Sequence, residues 1–359
     1  MYKLFFTTNL TKYAGFAKDI CEMSSLKIGE ERPEPNEDFY AQKIADQFKE
    51  TLSEYYENQL TKRMFHPKMH GLLSGEFIVE DNLPDELKKG VFSKAGTFPA
   101  WIRLSNAKRK KSPDKKKDMR GMAIKLLEVS GEKLLESETD ARTQDFLLVT
   151  AETLQTRSVR DFQKSIDALL SGGLKLFFYA ISHLKVIFRS LRQIDTCANL
   201  LEKKYFSMTP YQLGDQQAVK YCAMPKKTAI SKIPKKPSDG FLREQLISDV
   251  KSSDQYFDFM IQLQKDAEKM PVEDPTVAWD SPFIKVATIR IPAQEFDSEA
   301  QRTYGENLSF TPWHTLEAHK PIGGVNRARK LVYEQIAKFR RERNDVSFTE
   351  EPTSLKTFK

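Results

Sequence analysis

Arg329 and Tyr333 stand four residues apart in NRARKLVY, Asn326 to Tyr333. The surrounding run, Arg327 to Arg343, is rich in helix formers and reads as one amphipathic helix. On a helix that spacing puts both side chains on one face, a turn apart. A guanidinium beside a phenol favours the anionic phenolate. A phenolate is a hard ligand suited to ferric iron, and tyrosine is among the axial ligands of haem. Arg340 returns to the same face two turns later, where it could meet a haem carboxylate. The plainer alternative is a solvated helix with one buried tyrosine.

Composition narrows the class. Of 359 residues, 40% are hydrophobic and 30% charged, as in an ordinary globular protein. The net charge of +7 favours anionic partners such as acidic lipid, carboxylate substrates or nucleic acid. Cys21, Cys197 and Cys222 form neither an even set nor a metal-type spacing, so a reducing, cytoplasmic setting is expected. No uncharged apolar stretch is long enough to predict a membrane span.

The chain divides into an N-terminal helical arm, 1–60, a main domain, 61–345, and a polar tail, 346–359. In the arm, Ala41 to Tyr56 carries Ile44, Phe48, Leu52 and Tyr55 at helical spacing. Arg63 and His66 then precede a strand at Leu73 to Glu80. Pro67 disfavours helix at the histidine and predicts an extended segment there. A lone histidine also reads as a hydrogen-bonded core or surface residue.

Further strands are expected at Ala100 to Ser105, Arg120 to Leu127 and Asp145 to Thr150. In the first, Trp101, Arg103 and Ser105 share one face, and Ile102 and Leu104 the other. The basic run Lys108 to Lys117 lacks interleaved aromatic residues, so a solvated hairpin loop is expected and no nucleic-acid partner.

Ser158 to Leu170 reads as a helix, broken at Gly172-Gly173. Beyond it Leu174, Phe177, Ile181, Leu184, Phe188 and Leu191 form one apolar helical stripe, with Lys175, Lys185, Arg189 and Arg192 off it. The stripe is expected to pack on the body of the protein. Peripheral contact with an anionic membrane is the alternative. Tyr205 to Pro225 reads as a hairpin and Gln255 to Gln264 as an alternating strand. Lys265 to Lys269 reads as a short helix and Ile284 to Ile291 as the last strand. The expected fold is α+β: an antiparallel eight-stranded barrel with flanking helices.

Taken in order, these motifs resemble the haem catalase family, and more closely its small, divergent bacterial catalase-related branch. Arg63-Met-Phe-His66 is similar to the family's R-x-x-H, and Ile102-Arg103-Leu-Ser105 to its V-R-F-S. Asp118-Met-Arg120-Gly121 is similar to D-P-R-G. Phe259 to Pro271 is similar to the strand followed by E-A-E-K-F-P, and Arg329-Lys-Leu-Val-Tyr333 to R-L-F-x-Y.

The resemblance implies a catalase-like barrel holding haem b. Tyr333 would be the iron ligand, with Arg329 beside it. His66 would be the distal acid–base, held by Ser105, and Arg63, Arg103 and Arg340 would hold the haem propionates. Catalases carry a distal asparagine in a stretch similar to Val149 to Thr153, where this chain has none; Thr150 is the nearest polar candidate.

The implied activity is a haem peroxidase for organic or lipid hydroperoxides, drawing on an electron donor, with weak catalase activity. Two alternatives stand beside it. One is a fatty-acid hydroperoxide isomerase of the allene oxide synthase type, a branch with threonine where Phe65 stands. The other is a membrane-surface haem-binding module without turnover. Homo-oligomerisation is left open.

Overall fold

The computed structural model describes residues 26–109, 112–227, 230–346 and 351–358. Its centre is an antiparallel β-barrel of β1 (Lys68–Val79), β2 (Gly96–Asn106), β3 (Arg120–Leu127), β4 (Thr143–Val149), β5 (Tyr205–Phe206), β6 (Tyr211–Gln212), β7 (Ala218–Pro225), β8 (Gln255–Leu263) and β9 (Phe283–Ile291). The hydrogen-bonded order is β5-β4-β3-β2-β1-β9-β8-β7-β6, and β5 also pairs with β7. That second pairing closes a ring of eight strands, as expected. β6 is additional, paired beside β5 along β7. Where one hairpin was expected, the chain makes three short strands, because the segment between Phe206 and Tyr211 interrupts the first arm.

The barrel is filled by its own side chains. Period-two alternation sends Phe257, Phe259, Ile261 and Leu263 inward from β8, as read from the sequence. Phe259 meets Phe77 and Phe146 at ring-centroid distances of 4.9 Å each, so no channel runs through the barrel's middle. His319 is enclosed in this aromatic core. Val91 N–H donates to its Nε2 at 3.0 Å, which leaves the ring proton on Nδ1 to donate to the Tyr221 hydroxyl oxygen, also at 3.0 Å. Ile102 and Leu104 face this core, and Trp101, Arg103 and Ser105 face outward, as the alternation on β2 predicts.

Seven α-helices flank the barrel among the described residues: α1 (Glu37–Tyr55), α2 (Val159–Ser171), α3 (Gly173–Ser182), α4 (Leu184–Gln193), α5 (Phe241–Ser252), α6 (Glu299–Asn307) and α7 (Gly324–Arg343). α1 belongs to the expected arm. It buries Ala41, Ile44, Phe48 and Leu52 in a second apolar cluster, shared with α2 and with Ala328 and Ile336 of α7. Residues 1–25 of the arm lie outside the described residues. The described part of the tail packs on the barrel, with the Phe358 ring centroid 5.3 Å from that of Tyr304 and 6.0 Å from that of Trp101.

Three expectations are corrected. Lys265 to Lys269 is a turn, held by Asp266, whose carboxylate accepts the N–H groups of Glu268 and Lys269 at 3.0 Å. The stripe from Leu174 to Leu191 is two helices, because His183 breaks the run at φ −126°, ψ 44°. The stripe does not pack on the body either: Leu174, Phe177, Ile181, Leu184, Phe188 and Leu191 are all exposed. The basic loop after β2 is pinned from beneath: Asp114 is fully buried, 2.6 Å from Lys68 Nζ, and accepts from Asn106 Nδ2 at 2.8 Å. Its Lys110 and Lys111 lie outside the described residues.

Burial holds the His319 pKa down to about 3, against an ordinary value of 6.5. The folded protein therefore keeps this ring neutral while the unfolded chain protonates below pH 6.5. Its contribution to stability is complete above that value and is lost progressively as pH falls from there toward about 3. Urea midpoints should decline from pH 6.5 to about pH 5. His319→Gln, which keeps an acceptor and a donor, should flatten that slope by up to about 1.4 kcal/mol per pH unit. An identical slope in the variant would refute the assignment.

Candidate functional site

A cavity of about 810 Å³ lies between the outer face of the strand wall β2–β4 and the helices α1, α2 and α7. Its lining includes Arg63, His66, Arg103, Ser105, Arg329, Tyr333 and Arg340. These are the residues singled out in the sequence, with one exception. Thr150 is not part of the lining, because its hydroxyl accepts Arg120 N–H at 3.0 Å. Val149 takes the cavity position instead.

The strand wall is built around His66. The expected extended conformation is not adopted: φ is 59°, a left-handed value for a residue followed by proline. Such a conformation costs about 1–3 kcal/mol and persists only where the surroundings over-determine it. Here they do. His66 N–H donates to Ala107 O at 3.2 Å, Arg103 Nη2 donates to His66 O at 3.0 Å, and Nδ1 lies 3.1 Å from Ser105 Oγ.

The Nδ1–Cε1 side of the ring abuts β3 at Gly121. A Cβ there would stand 2.4 Å from Nδ1 and 3.0 Å from Ser105 Oγ, so any side chain would displace the ring. Ser105, Gly121 and Val149 are direct cross-strand partners in one row. The next outward-facing pair is Ala123 and Leu147. The β3–β4 part of the wall is therefore apolar, and β2 supplies Arg103 and Ser105 beside His66.

α7 supplies the facing wall. Arg329 Nη2 donates to the Tyr333 phenol oxygen at 3.1 Å, and the guanidinium carbon lies 5.1 Å from the ring centroid. Burial alone would lower the Arg329 pKa, but the neighbouring Tyr333 and Tyr211 outweigh it and the net direction is upward. The guanidinium stays charged. Arg329 Nη1 also donates to Asn326 Oδ1 at 3.2 Å.

Arg63, Arg103 and Arg340 gather near the end of α6. Arg63 Nη1 and Arg103 Nη2 lie 3.6 and 3.8 Å from the Glu306 carboxylate, and Arg340 Nη2 donates to Glu306 O at 3.2 Å. Two guanidiniums thus share one carboxylate, and the third is held by the main-chain oxygen of the same residue. Arg63 Nη1 and Arg103 Nε are buried without hydrogen-bond partners. Burial, followed by the repulsion of Arg63, depresses both Arg103 and Arg340, the latter to about 9. Surplus buried donors and mutually repelling cations define a place for further carboxylates. A haem group, with two carboxylates and an iron that takes phenolate, fits this donor set.

His66 is the reverse case. Burial, then Arg103, Arg63 and Arg329, pushes its pKa down to about 3. It is neutral at physiological pH and able to accept a proton.

Several contributors carried no signal of their own in the sequence. Glu306 lies far in sequence from the arginines it faces, and Val149 is an ordinary strand residue. Asn326 opens the helical motif in the sequence, and the structure buries it fully. Among the described residues Glu138, His314 and Glu351 also come together, as metal ligands can. Of the three, Glu351 is paired with Lys125, whose Nζ lies 2.5 Å away and also 2.8 Å from Asp145, and Glu138 is paired with His314.

The chain is similar to solved catalases. A fungal catalase aligns with a TM-score of 0.64 at 17% identity, over 89% of this chain and 66% of its own. Catalase A from Saccharomyces cerevisiae gives 0.64 at 19%, over 94% and 77%. A bacterial catalase gives 0.59 at 16%, over 89% and 63%. The chain therefore spans about two thirds of the fungal and bacterial chains. No protein family and no curated protein matches the sequence. At these identities the likeness establishes the fold: a catalase-like barrel.

The Gly121 contact is testable without any ligand. Followed by NMR, the wild-type His66 ring should stay neutral from pH 7 almost to its value of about 3. In Gly121→Ala the displaced ring should titrate closer to 6.5, with unchanged far-UV circular dichroism. An unmoved titration in a folded variant would show that the contact does not hold the ring.

Proposed function

We propose that the cavity holds haem b, with Tyr333 on the iron, and that the protein is a haem-dependent peroxidase reducing organic or lipid hydroperoxides, with weak catalase activity. One observation carries the reading. A neutral histidine on the strand wall and an arginine-paired tyrosine on the helical wall share one cavity, with a carboxylate-seeking arginine trio. The catalase-like barrel supports it.

Bound haem supplies the redox chemistry that makes the O–O bond breakable. The chain does the rest. Tyr333 would offer its phenol oxygen to the iron, and Arg329 donates a hydrogen bond to that oxygen. Arg63, Arg103 and Arg340 receive the carboxylates and fix the orientation of the ring system. Ser105 occupies Nδ1 of His66, so Nε2 is the nitrogen left to take the proton from one peroxide oxygen and return it to the other. A base this weak releases the proton readily. Across a cycle ROOH gains two electrons and two protons from a donor and leaves as ROH and water.

The wall formed by Val149, Leu147 and Ala123 favours hydroperoxides with apolar bodies. Hydrogen peroxide has no such handle and meets no amide on that wall. Losing one polar contact made in the transition state commonly costs ~10²–10³ in rate.

Tyr333→Phe should abolish the haem absorption spectrum or haem retention, and an unchanged spectrum would sink the ligand assignment. His66→Ala should keep haem and lose ~10²–10⁴ of hydroperoxide turnover. With a fatty-acid hydroperoxide the products should be the alcohol and oxidised donor. A rearranged oxide formed without donor consumption would instead establish the isomerase. Haem binding with no conversion of any hydroperoxide would leave a carrier.

A further inference from the structure

The helices α3 and α4 present an apolar surface that the rest of the described chain leaves uncovered. Leu174, Phe177, Phe178, Ile181, Leu184 and Phe188 are each between 55% and 76% exposed. Neither helix contains a buried residue. Most large apolar side chains that a protein exposes are scattered singly; a contiguous set marks a binding surface. Gly172 and Gly173, at φ 62° and 50° with open space where a Cβ would be, break the run between α2 and α3.

Charge identifies the occupant. From Ala168 to Ile194 there is no acidic residue, while Lys175, Lys185, Arg189 and Arg192 all fall within α3 and α4. Lys175 pairs with Asp167 at 2.8 Å. Lys185, Arg189 and Arg192 have no carboxylate partner among the described residues, and Arg192 lies 4.4 Å over the Phe188 ring. A second copy docking by this face would bring cations against cations. An anionic lipid surface meets both features: acyl chains for the apolar side chains and headgroups for the bases. Each helix has 10 residues, about 15 Å, half of a bilayer's hydrocarbon thickness, so they lie in the surface and do not cross it. No helix among the described residues is long and apolar enough to cross a membrane.

The pair is also tied to the cavity. Gln193, the last residue of α4, donates to Thr153 O at 2.7 Å and is bonded to Gln155, and Arg189 donates to Gln155 O at 3.4 Å. Gln155 lines the cavity, as do Val159 and Phe162 of α2, against which α3 packs. We propose that α3 and α4 form an in-plane docking element for anionic membranes, which sets the cavity rim at the lipid surface and selects acyl hydroperoxides held there. The substrate clause rests on the peroxidase reading above; the docking does not.

Flotation of the purified full chain with vesicles tests the docking. Vesicles containing phosphatidylglycerol should bind it, phosphatidylcholine alone much less, and high salt should release it. Phe177→Asp with Phe178→Asp should weaken binding by more than about tenfold. Lys185→Glu with Arg189→Glu should remove the preference for the anionic lipid. Phe177, Phe178 and Lys185 are exposed and Arg189 is half-buried, and unchanged circular dichroism would confirm that the variants fold. Failure of the wild type to bind anionic vesicles overturns the proposal. So does binding that the Phe177/Phe178 pair leaves intact, or self-association through this face, seen as a wild-type dimer made monomeric by the same substitutions.

The second arm measures turnover of a phospholipid hydroperoxide in anionic vesicles. The aspartate pair should reduce it about tenfold while sparing a short alkyl hydroperoxide in solution. Equal loss on both substrates overturns the substrate clause. Vesicle binding by a protein that holds no haem would uphold the docking and fail the peroxidase reading alone.

Discussion

Everything in the cavity depends on the axial position of α7, and one buried amide fixes it. Asn326 Nδ2 donates to Pro210 O at 2.8 Å and Ile322 O at 3.0 Å. Its Oδ1 accepts from Thr209 Oγ1 at 3.0 Å and from Arg329 Nη1 at 3.2 Å. Trp313 Nε1 donates to its main-chain oxygen at 2.6 Å. An amide with both donors and both acceptors used has one orientation, and the helix turn that carries it has one too. Arg327 adds the outer clamp, bonding Glu31, Glu37 and Glu273. Glu31 and Glu273 also accept the N–H groups of Gly323 and Gly324 at the start of the helix, where negative charge is favoured. Two turns further along, roughly 10 Å, Tyr333 therefore faces the strand wall at a defined height.

The strand wall is held by a different means. A barrel's hydrogen-bond register is rigid, so the row Ser105–Gly121–Val149 is set once the ring closes at β5. His66 is attached to that row from outside, in a strained backbone conformation, by three separate tethers. The result is two rigid bodies, barrel and helical layer, with one reactive side chain aimed into the space between them from each. Strain at His66 and repulsion among the arginines are both concentrated at the cavity. A structure selected for stability alone has no reason to collect them there.

Much of this was legible in the sequence because it is periodic or local. The alternation on β2 and β8 assigned inner and outer faces correctly. The four-residue spacing of Arg329 and Tyr333 became a hydrogen bond because a helix leaves those side chains no other relation. The short order of motifs carried the fold, which a catalase-like likeness to solved structures bears out.

Other features needed the tertiary structure, for physical reasons. Whether an apolar stripe is covered depends on what stands opposite, and the pattern from Leu174 to Leu191 is the same for a core helix and a surface one. The φ of His66 runs against its local preference before Pro67 and is imposed by Ala107, Arg103 and Ser105, which are distant in the chain. Thr150 and Val149 differ by one position on a strand, and a shift of one exchanges faces; only the register against Gly121 decides which reaches the cavity. Sequence by itself determined most of the elements and which candidate site residues they carry. Their meeting, and the carboxylate of Glu306 among three arginines, follow from long-range packing, which local periodicity does not encode.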